Sequence, residues 1–431
     1  MFTKQTIKDI DLKNKVVLLR TDYNVPLDNG KITDDYRIKQ SLPTIEYLLS
    51  KNTKIIICSH LGRPEGKTVN SLSLKPVEER LGKLLDKKVD FSDSKIGPKL
   101  TQQLVELKPK QIILLENLRF YPEEEANDKD FAKNLASLAD VFVQDAFGVV
   151  HRAHASTDAI TKYIPSVAGL LLAKEVDTLT DVIYNPTKPL TVIIGGAKID
   201  DKLDIINTFI KKADFLAIGG ALANPFLAAK KIDIEASLFK KSELKLAKEI
   251  LNLSEEENKK RNLVFAVPHD VVVASQVSKT TKTRVVDFTS GSFADVAFYP
   301  HRVSAYTSKL KSHEKILDIG PFSASFIAGA VQLSKTVLWN GTMGVTEVQG
   351  LQGPIGPFSH GTQTVIEAIV GDLGFRPYSV VGGGDTIGYL ETRGLVNSFD
   401  HVSTGGGASM ELLSGHKLPG VEALLDKNEV Q

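Results

Sequence analysis

Short runs of branched apolar residues recur along the chain and restrict its fold more than any other feature. Each run is long enough for one buried strand, and longer amphipathic segments separate the runs. This alternation predicts β/α units around parallel sheets. A single sheet of so many strands would be unusually wide, so we predict two doubly wound domains. The runs occupy residues 16–19, 55–58, 112–115, 141–143, 190–194, 215–218, 263–267, 316–319, 337–339 and 379–381.

The length of 431 residues is also typical of two or three domains, at about 150 residues per domain. Apolar residues at helical spacing predict a helix over about 173–183, which Asn185, Pro186 and Pro189 end. We therefore predict Rossmann-like α/β domains at 1–172 and 190–404, joined by a hinge helix within 173–189. Ser254 and Glu257 have the spacing of a capping box and predict a solvated helix start.

The charge balance argues against a nucleic-acid or membrane partner. Lys and Arg number 53 against 52 Asp and Glu, a formal net charge of +1, so an anion must be bound locally. The single cysteine, Cys58, cannot form an internal disulfide, and residues 1–11 lack the apolar core of a signal peptide. We expect a soluble cytoplasmic protein.

In the first half, cationic and polar residues follow the predicted strands. Ligands of open α/β sheets bind at the carboxyl ends of strands, so these residues are expected to share one crevice. Guanidinium groups bind carboxylate and phosphate in pairs, which suits a small, hydroxylated, multiply anionic ligand. His151 and His154 are candidate general bases, although wall or core positions suit them better. The crevice residues are Arg20, Asp22, Asn24, Arg37, His60, Arg63, Arg119, Asp145 and Arg152.

In the second half, the strand ends are rich in glycine instead. Glycine lets backbone amides approach phosphate oxygens, and a following helix adds partial positive charge, so a nucleotide-binding surface is predicted. The clusters are Gly195-Gly196-Ala197-Lys198, Gly219-Gly220-Ala221, 341–344, Gly382-Gly383-Gly384-Asp385-Thr386 and Gly405-Gly406-Gly407.

Two charged features accompany these glycines, and each has two interpretations. On a helix, Lys198 and Lys202 would project from one face and clamp a phosphate, or they would pair with nearby aspartates. Asp385 is a candidate Mg²⁺ ligand or a helix cap. The sequence lacks G-x-G-x-x-G, a P-loop, H-E-x-x-H, C-x-x-C and G-x-S-x-G, so the corresponding nucleotide, zinc, redox and hydrolase sites are excluded.

These motifs are similar to those of the phosphoglycerate kinase family over essentially the whole chain. They resemble the family's R-x-D-x-N-V-P at residues 20–26, S-H-L-G-R-P at 59–64 and L-E-N-L-R-F at 115–120. The pattern continues at 145–154, 195–202, 383–386 and 403–409.

The resemblance implies the ligands of each domain. In the first domain, 3-phosphoglycerate would be held by Asp22, Asn24, Arg37, His60, Arg63, Arg119 and Arg152. In the second domain, Mg-ADP or Mg-ATP would be held by Lys202, Asn340, Glu347, Gly384, Asp385 and Thr386, with the metal on Asp385 and the ribose on Glu347. The glycine-rich turns with Gly195, Lys198, Gly219 and Gly383 complete the nucleotide site.

The implied reaction is reversible in-line transfer of the acyl phosphate of 1,3-bisphosphoglycerate to ADP in glycolysis, without a covalent enzyme intermediate. Arg37 and Lys202 would neutralise the transferring group, and the amides of Gly406 and Gly407 would donate to its oxygens. The two domains would close about the hinge. The resemblance also implies a monomer and a tail at 405–431 that returns toward the first domain.

Departures from the family pattern concentrate in the nucleotide half. Ala221-Leu222 replaces glycine and methionine, Thr342 replaces proline, and Thr346 replaces phenylalanine. Phe322 stands where lysine is usual, and Asn224-Pro225 replaces an aromatic-threonine pair. The base preference therefore stays open. Two alternative functions stay open. One is a catalytically weak nucleotide-binding relative, and the other, suggested only by the alternation of strand and helix segments, is a Rossmann-type dehydrogenase.

Overall fold

The computed structural model describes residues 2–288, 306–307, 309–351 and 353–427. Its strands are β1 Val16–Arg20, β2 Leu27–Asp28, β3 Lys31–Ile32, β4 Lys54–Cys58, β5 Val89–Ser92, β6 Ile112–Leu115, β7 Val141–Gln144, β8 Ser166–Ala168, β9 Leu190–Ile194, β10 Phe215–Ile218, β11 Val264–Ala266, β12 Asp270–Ala274, β13 Arg284–Asp287, β14 Tyr306–Thr307, β15 Lys315–Ile319, β16 Thr336–Asn340, β17 Tyr378–Gly382 and β18 His401–Val402. Its α-helices are α1 Tyr36–Ser50, α2 Lys75–Leu85, α3 Pro98–Val105, α4 Pro122–Glu125, α5 Lys129–Ala136, α6 Leu170–Tyr184, α7 Leu203–Phe209, α8 Asn224–Ala229, α9 Glu243–Arg261, α10 Pro321–Leu333, α11 His360–Val370, α12 Gly384–Thr392, α13 Gly406–Leu413 and α14 Pro419–Glu422.

Two compact units contain these elements. One is formed by the described residues within 1–180, 407–412 and 416–431, and the other by those within 181–406 and 413–415. The helix predicted over about 173–183 is present as α6, and the boundary at residue 180 lies inside it. The action of α6 as a hinge and the predicted domain bounds stay predictions. In the first unit the amide of Gln5 donates to the carbonyl of Leu425, and the amide of Leu425 donates to Ser166.

The first unit is built on a parallel sheet with the order β5-β6-β4-β1-β7-β8. Along β1, Val17 and Leu19 pack into one core cluster, whereas Leu18 packs into the cluster on the other face. Both faces are therefore buried, which explains why the strands are continuous apolar runs. The strands predicted in this half are confirmed. The short strands β5 and β8 were not predicted, because Asp90 interrupts the apolar pattern of β5 and β8 contains only two apolar residues.

The second unit contains a parallel sheet with the order β11-β10-β9-β16-β17-β18. The chain starts at β9, adds β10 and β11 on one side, and then returns to add β16, β17 and β18 on the other. This is the doubly wound arrangement, and its switch point lies between β9 and β16. The predicted fold class is confirmed.

Two predictions of local structure are wrong. The run 316–319 does form a strand, β15, but its expected parallel pairing is wrong, since β15 pairs antiparallel with β12 in a four-stranded sheet. An apolar run indicates burial and not strand direction. Ser254 and Glu257 lie inside α9 and do not start a helix, and the Ser254 hydroxyl donates to the carbonyl of Leu251 at 2.7 Å. No helix in the described part of the chain is long and apolar enough to cross a membrane.

Candidate active site

Asp22 and Arg37 form an ion pair at the carboxyl edge of the first sheet. Asp22 follows β1 and is buried, while Arg37 lies in the first turn of α1. The Arg37 guanidinium donates to Asp22 Oδ2 at 2.8 Å, and the amide of Asn24 donates to Asp22 Oδ1 at 3.1 Å. Asp22 therefore orients both a half-buried cation and the backbone of Asn24.

The turn at Gly62, after β4, brings further predicted site residues together. Its amide donates to Asn24 Oδ1 at 2.9 Å, and its carbonyl accepts from Arg119 at 2.7 Å. Asn117 supports the same turn by donating to the carbonyl of Leu61 at 2.7 Å. The left-handed conformation of Gly62, with φ of +65°, favours glycine at this position. One short turn thus joins the ends of β1, β4 and β6.

The histidines near this turn are held neutral. Burial, followed by the field of Arg20, keeps the pKa of His60 well below its usual value. Burial and Arg20 likewise lower the pKa of His154 to about 4. Nδ1 of His60 lies 3.9 Å from Asp22 Oδ1. Neutral imidazoles surrounded by arginines suit hydrogen bonding to an anion better than proton abstraction.

Arg63 and Arg152 are exposed beside these residues. Arg63 directly follows Gly62, and the Arg152 Nε lies 3.3 Å from Nε2 of His151. Burial is the largest cause that lowers the pKa of Arg119, and Arg20 and Arg152 lower it further. The positive charges are therefore close enough to repel one another, which favours a polyanion among them.

Sequence reasoning did not assign a role to Glu124, which lies fully buried in α4. Its carboxylate is 4.0 Å from the guanidinium of Arg20 and 3.9 Å from Nδ1 of His154. The run Glu123 to Glu125 has the composition of a solvated surface turn, so the sequence contained no signal of this burial. Arg20 itself was visible as part of the motif that ends β1.

In the second unit, the switch point is packed backbone against backbone. The amide of Gly195 donates to the carbonyl of Asn340 at 2.9 Å, and the amide of Gly196 donates to Thr342 at 3.1 Å. A Cβ at Gly195 would overlap the Thr342 carbonyl oxygen, and one at Gly219 would overlap the Met343 sulfur. These glycines are therefore required for close packing at the sheet edge where nucleotides bind in such folds.

Lys202, Asn340 and Thr386 meet at this switch point. The Lys202 ammonium donates to Oδ1 of Asn340, a buried side chain whose Nδ2 has no hydrogen-bond partner among the described residues. Thr386 accepts from the amide of Gly341 at 3.0 Å. An orphaned buried donor beside an ammonium group is suited to a bound oxyanion.

Lys198, Glu347, Gly384 and Asp385 are exposed around the same edge. The proposed shared helix face of Lys198 and Lys202 is wrong, because Lys198 precedes the 3₁₀ helix Asp200–Lys202. Asp385 lies in the first turn of α12, whose cap is Gly383 with φ of +95°. Asp385 is thus not the cap residue, and its carboxylate stays available to solvent.

Gly406 and Gly407 are the first residues of α13. A Cβ at Gly406 would lie 3.9 Å from the amide nitrogen of Gly384, within the second unit. A Cβ at Gly407 would lie 3.1 Å from Nε2 of His151, within the first unit. Both amides belong to the helix N-terminus, where backbone donors lack intrahelical partners.

The structure shows contacts for two of the residues that depart from the family pattern, Asn224 and Phe322. Asn224 is buried, and its side-chain Nδ2 donates to the carbonyl of Leu238 at 2.9 Å. Phe322 is 45% exposed and packs edge-on against the ring of His269. Asn224 therefore stabilises a loop, while Phe322 presents an aromatic face at the start of α10.

The chain is similar to phosphoglycerate kinases over nearly its whole length. The phosphoglycerate kinase family model matches residues 7–416. The phosphoglycerate kinase of Moorella thermoacetica is 44% identical over 424 residues, which is 98% of this chain and 100% of the relative. The structure of phosphoglycerate kinase from Coxiella burnetii has a TM-score of 0.80 at 35% identity and covers 97% of this chain and 98% of its own.

The crystal structure of phosphoglycerate kinase from Pyrococcus horikoshii has a TM-score of 0.79 at 29% identity and covers 98% of each chain. The dehydrogenase alternative is set aside, because the family model and these relatives are all phosphoglycerate kinases. The chain belongs to the phosphoglycerate kinase family.

Proposed function

We propose that the two polar surfaces described above carry out the phosphoglycerate kinase reaction that family membership assigns to the chain. The first binds 3-phosphoglycerate or 1,3-bisphosphoglycerate, and the second binds ADP or ATP. The observation that supports this assignment best is the convergence of Asn24, Arg37 and Arg119 on the turns after β1 and β4. Asp22 and Asn24 then face the hydroxyl of the ligand, and the arginines, with His60, face its phosphate and carboxylate.

Phosphoryl transfer at these surfaces needs positioning and charge neutralisation. A β-phosphate oxygen of ADP attacks the phosphorus of the acyl phosphate, the bond from phosphorus to the carboxyl oxygen breaks, and 3-phosphoglycerate leaves as a carboxylate. Both reacting groups are anionic, so no general base is required. Arg37 and Lys202 neutralise the transferring group, and the amides of Gly406 and Gly407 donate to its oxygens.

Magnesium fits Asp385. The carboxylate is exposed in the first turn of α12, and Mg²⁺ commonly takes one or two protein carboxylates together with phosphate oxygens and waters. No group of three or more His, Cys, Asp or Glu able to hold a metal occurs within the described ranges. The ion would neutralise nucleotide phosphate charge when bound. Thr386 and the amides at Gly383 and Gly384 would hold the phosphates beside it.

We also propose that the protein is a cytoplasmic monomer whose domains close about α6 during turnover. The balanced charge and the single buried cysteine favour a soluble intracellular chain. Light scattering coupled to gel filtration measures the mass directly, and a single species near 47.0 kDa is expected.

ATP formation from 1,3-bisphosphoglycerate and ADP, followed in a coupled assay, tests the function. We expect turnover of roughly 1 to 100 s⁻¹. Nucleotide binding without turnover would instead support the catalytically weak relative. Titration with ADP, GDP and IDP in the same assay determines the base preference that Ala221 and Thr342 leave open.

A further inference from the structure

Glu124 occupies a position that is unusual for a carboxylate. It has no exposed surface, although Glu123 and Glu125 on either side of it are exposed. Its carboxylate accepts from the amide of Ser156 at 3.0 Å and from the Ser156 hydroxyl at 2.5 Å. Burial raises the pKa of this carboxyl, while Arg20 and the Ser156 hydrogen bonds favour the ionised form. A buried carboxylate is stable only with such compensation.

The main compensating charge is Arg20, which is 1% exposed. Its Nε donates to Ser156 Oγ at 2.8 Å, and its Nη2 lies 4.0 Å from Glu124. Arginine keeps its proton in proteins, so this buried cation requires a counter-charge. Glu124 is the carboxylate closest to it among the ion pairs of the described residues. Ser156 bridges the two groups and fixes their separation.

The same guanidinium also contacts residues of the proposed phosphoglycerate surface. Its guanidinium donates to the carbonyl of Thr21, the residue before Asp22. Its Nη2 lies 3.4 Å from Nδ1 of His60, and because a guanidinium has only donors, this nitrogen accepts. The proton of neutral His60 is then on Nε2, where it can be donated to an anion. Arg20 therefore controls both the backbone before Asp22 and the tautomer of His60.

We propose that Glu124 is a positioning residue for glycerate phosphates, acting through Arg20 on Asp22 and His60. This inference rests on the proposed function of the first unit. Glu124 cannot touch the ligand, because it is entirely buried. Its effect is to keep the guanidinium turned inward, so that Arg20 supports the site without competing with the exposed arginines for the anion.

Glu124→Gln keeps the shape of the side chain and removes its charge. We expect KM for 3-phosphoglycerate to rise about tenfold, which corresponds to the loss of one charged hydrogen bond between the positioned site residues and the ligand. The kcat and the KM for ATP should be unchanged. A general loss of structure would instead change both KM values together. Glu123→Gln, on the exposed face of the same helix, is the matched control and should behave like the wild type.

A double-mutant cycle tests whether Glu124 acts through Arg20. If it does, Glu124→Gln combined with Arg20→Gln should raise KM for 3-phosphoglycerate no more than the worse single variant. Additive effects, or an unchanged KM for 3-phosphoglycerate in Glu124→Gln, would overturn the proposal. Should Glu124→Gln fail to fold, as shown by circular dichroism, Ser156→Ala removes the bridge without removing a charge and should give the same selective rise.

These results remain separable from a failure of the proposed function. If the wild type shows no transfer between 1,3-bisphosphoglycerate and ADP, the proposed function fails. If the wild type is active and Glu124→Gln retains the wild-type KM for 3-phosphoglycerate, only the role of Glu124 is refuted.

Discussion

Arg37 donates a hydrogen bond of 2.8 Å to the carboxylate of Asp22, and the same nitrogen lies 3.4 Å from the carbonyl oxygen of Asn24. The Arg37 side chain is 29% exposed, so solvent screening limits the contribution of this pair to stability. The ion pair instead fixes the orientation of the Arg37 side chain. A long cationic side chain is held in one direction at the sheet edge, which lowers the entropy lost when an anion binds.

Arg37→Ala should lower kcat by roughly 10³ to 10⁵, because an arginine that neutralises a transferring phosphoryl group acts in the transition state. Steady-state kinetics of ATP formation measure this loss. Arg80→Ala is the matched control, since Arg80 pairs with Asp35 in the same unit and has no proposed contact with substrate. An Arg37→Ala enzyme with the kcat of the control would refute the catalytic role.

Glu347→Ala should raise KM for ADP and leave kcat nearly unchanged. Glu347 is exposed, and its proposed contact is with the ribose, which does not react. Loss of one hydrogen bond to a charged group corresponds to a rise of about tenfold or more. Titration of ADP at saturating 1,3-bisphosphoglycerate measures KM, with the exposed Glu255→Ala as control. A fall in kcat at unchanged KM would contradict the assignment.

Asp385→Asn should increase the Mg²⁺ concentration needed for half-maximal activity. The substitution removes the negative charge of a carboxylate that is exposed and is not the cap of α12, so folding is expected to be unaffected. Activity measured across a magnesium titration at fixed ADP gives the shift. Asp372→Asn, another exposed aspartate of the same unit, should not change the requirement. An equal Mg²⁺ requirement in Asp385→Asn and the wild type would show that Asp385 does not bind the metal.

Buried strands were predictable because their chemistry is local. Val17, Leu18 and Leu19 are apolar on both faces of one sheet, so the run alone identifies the strand. The polar residues at strand ends were predictable for the same reason, since topology places Asp22 and His60 at one edge. The antiparallel pairing of β15 was not, because it depends on β12, a partner more than 40 residues away.

Helix caps likewise could not be predicted where the capping residue is distant in sequence. Asp270 in β12 accepts from the amides of Phe322 and Ser323 and so caps α10 from another element. Ser254 and Glu257 have a local capping pattern that α9 runs through. Local spacing therefore predicted a cap that is absent and gave no indication of the cap that is present. Glu124 is the equivalent case in the site, since its partners Arg20 and Ser156 are joined to it only by the fold.

Asp145 provides a pH-dependent test of the first unit. Its Oδ1 accepts from the amide of Leu172 at 3.1 Å in the first turn of α6, and its Oδ2 has no hydrogen-bond partner among the described residues. Burial, the largest cause, raises the pKa of Asp145 to about 7, although hydrogen bonds from Thr44 and Leu172 oppose this shift. The folded state therefore holds a proton that the unfolded chain, with a pKa of about 3.9, releases.

The direction in which stability changes with pH follows from that difference in bound protons. The contribution of Asp145 to stability is fully present below about pH 4 and is lost as pH rises toward 7. Asp145→Asn removes this titration, so the free energy of unfolding of the variant minus that of the wild type should rise by about 1.4 kcal/mol per pH unit between pH 5 and 7, and then level off. Subtraction cancels groups common to both proteins, including His154, whose lowered pKa acts in the opposite direction. Urea unfolding at several pH values measures the difference, and a constant difference from pH 5 to 8 would show that Asp145 is ionised throughout.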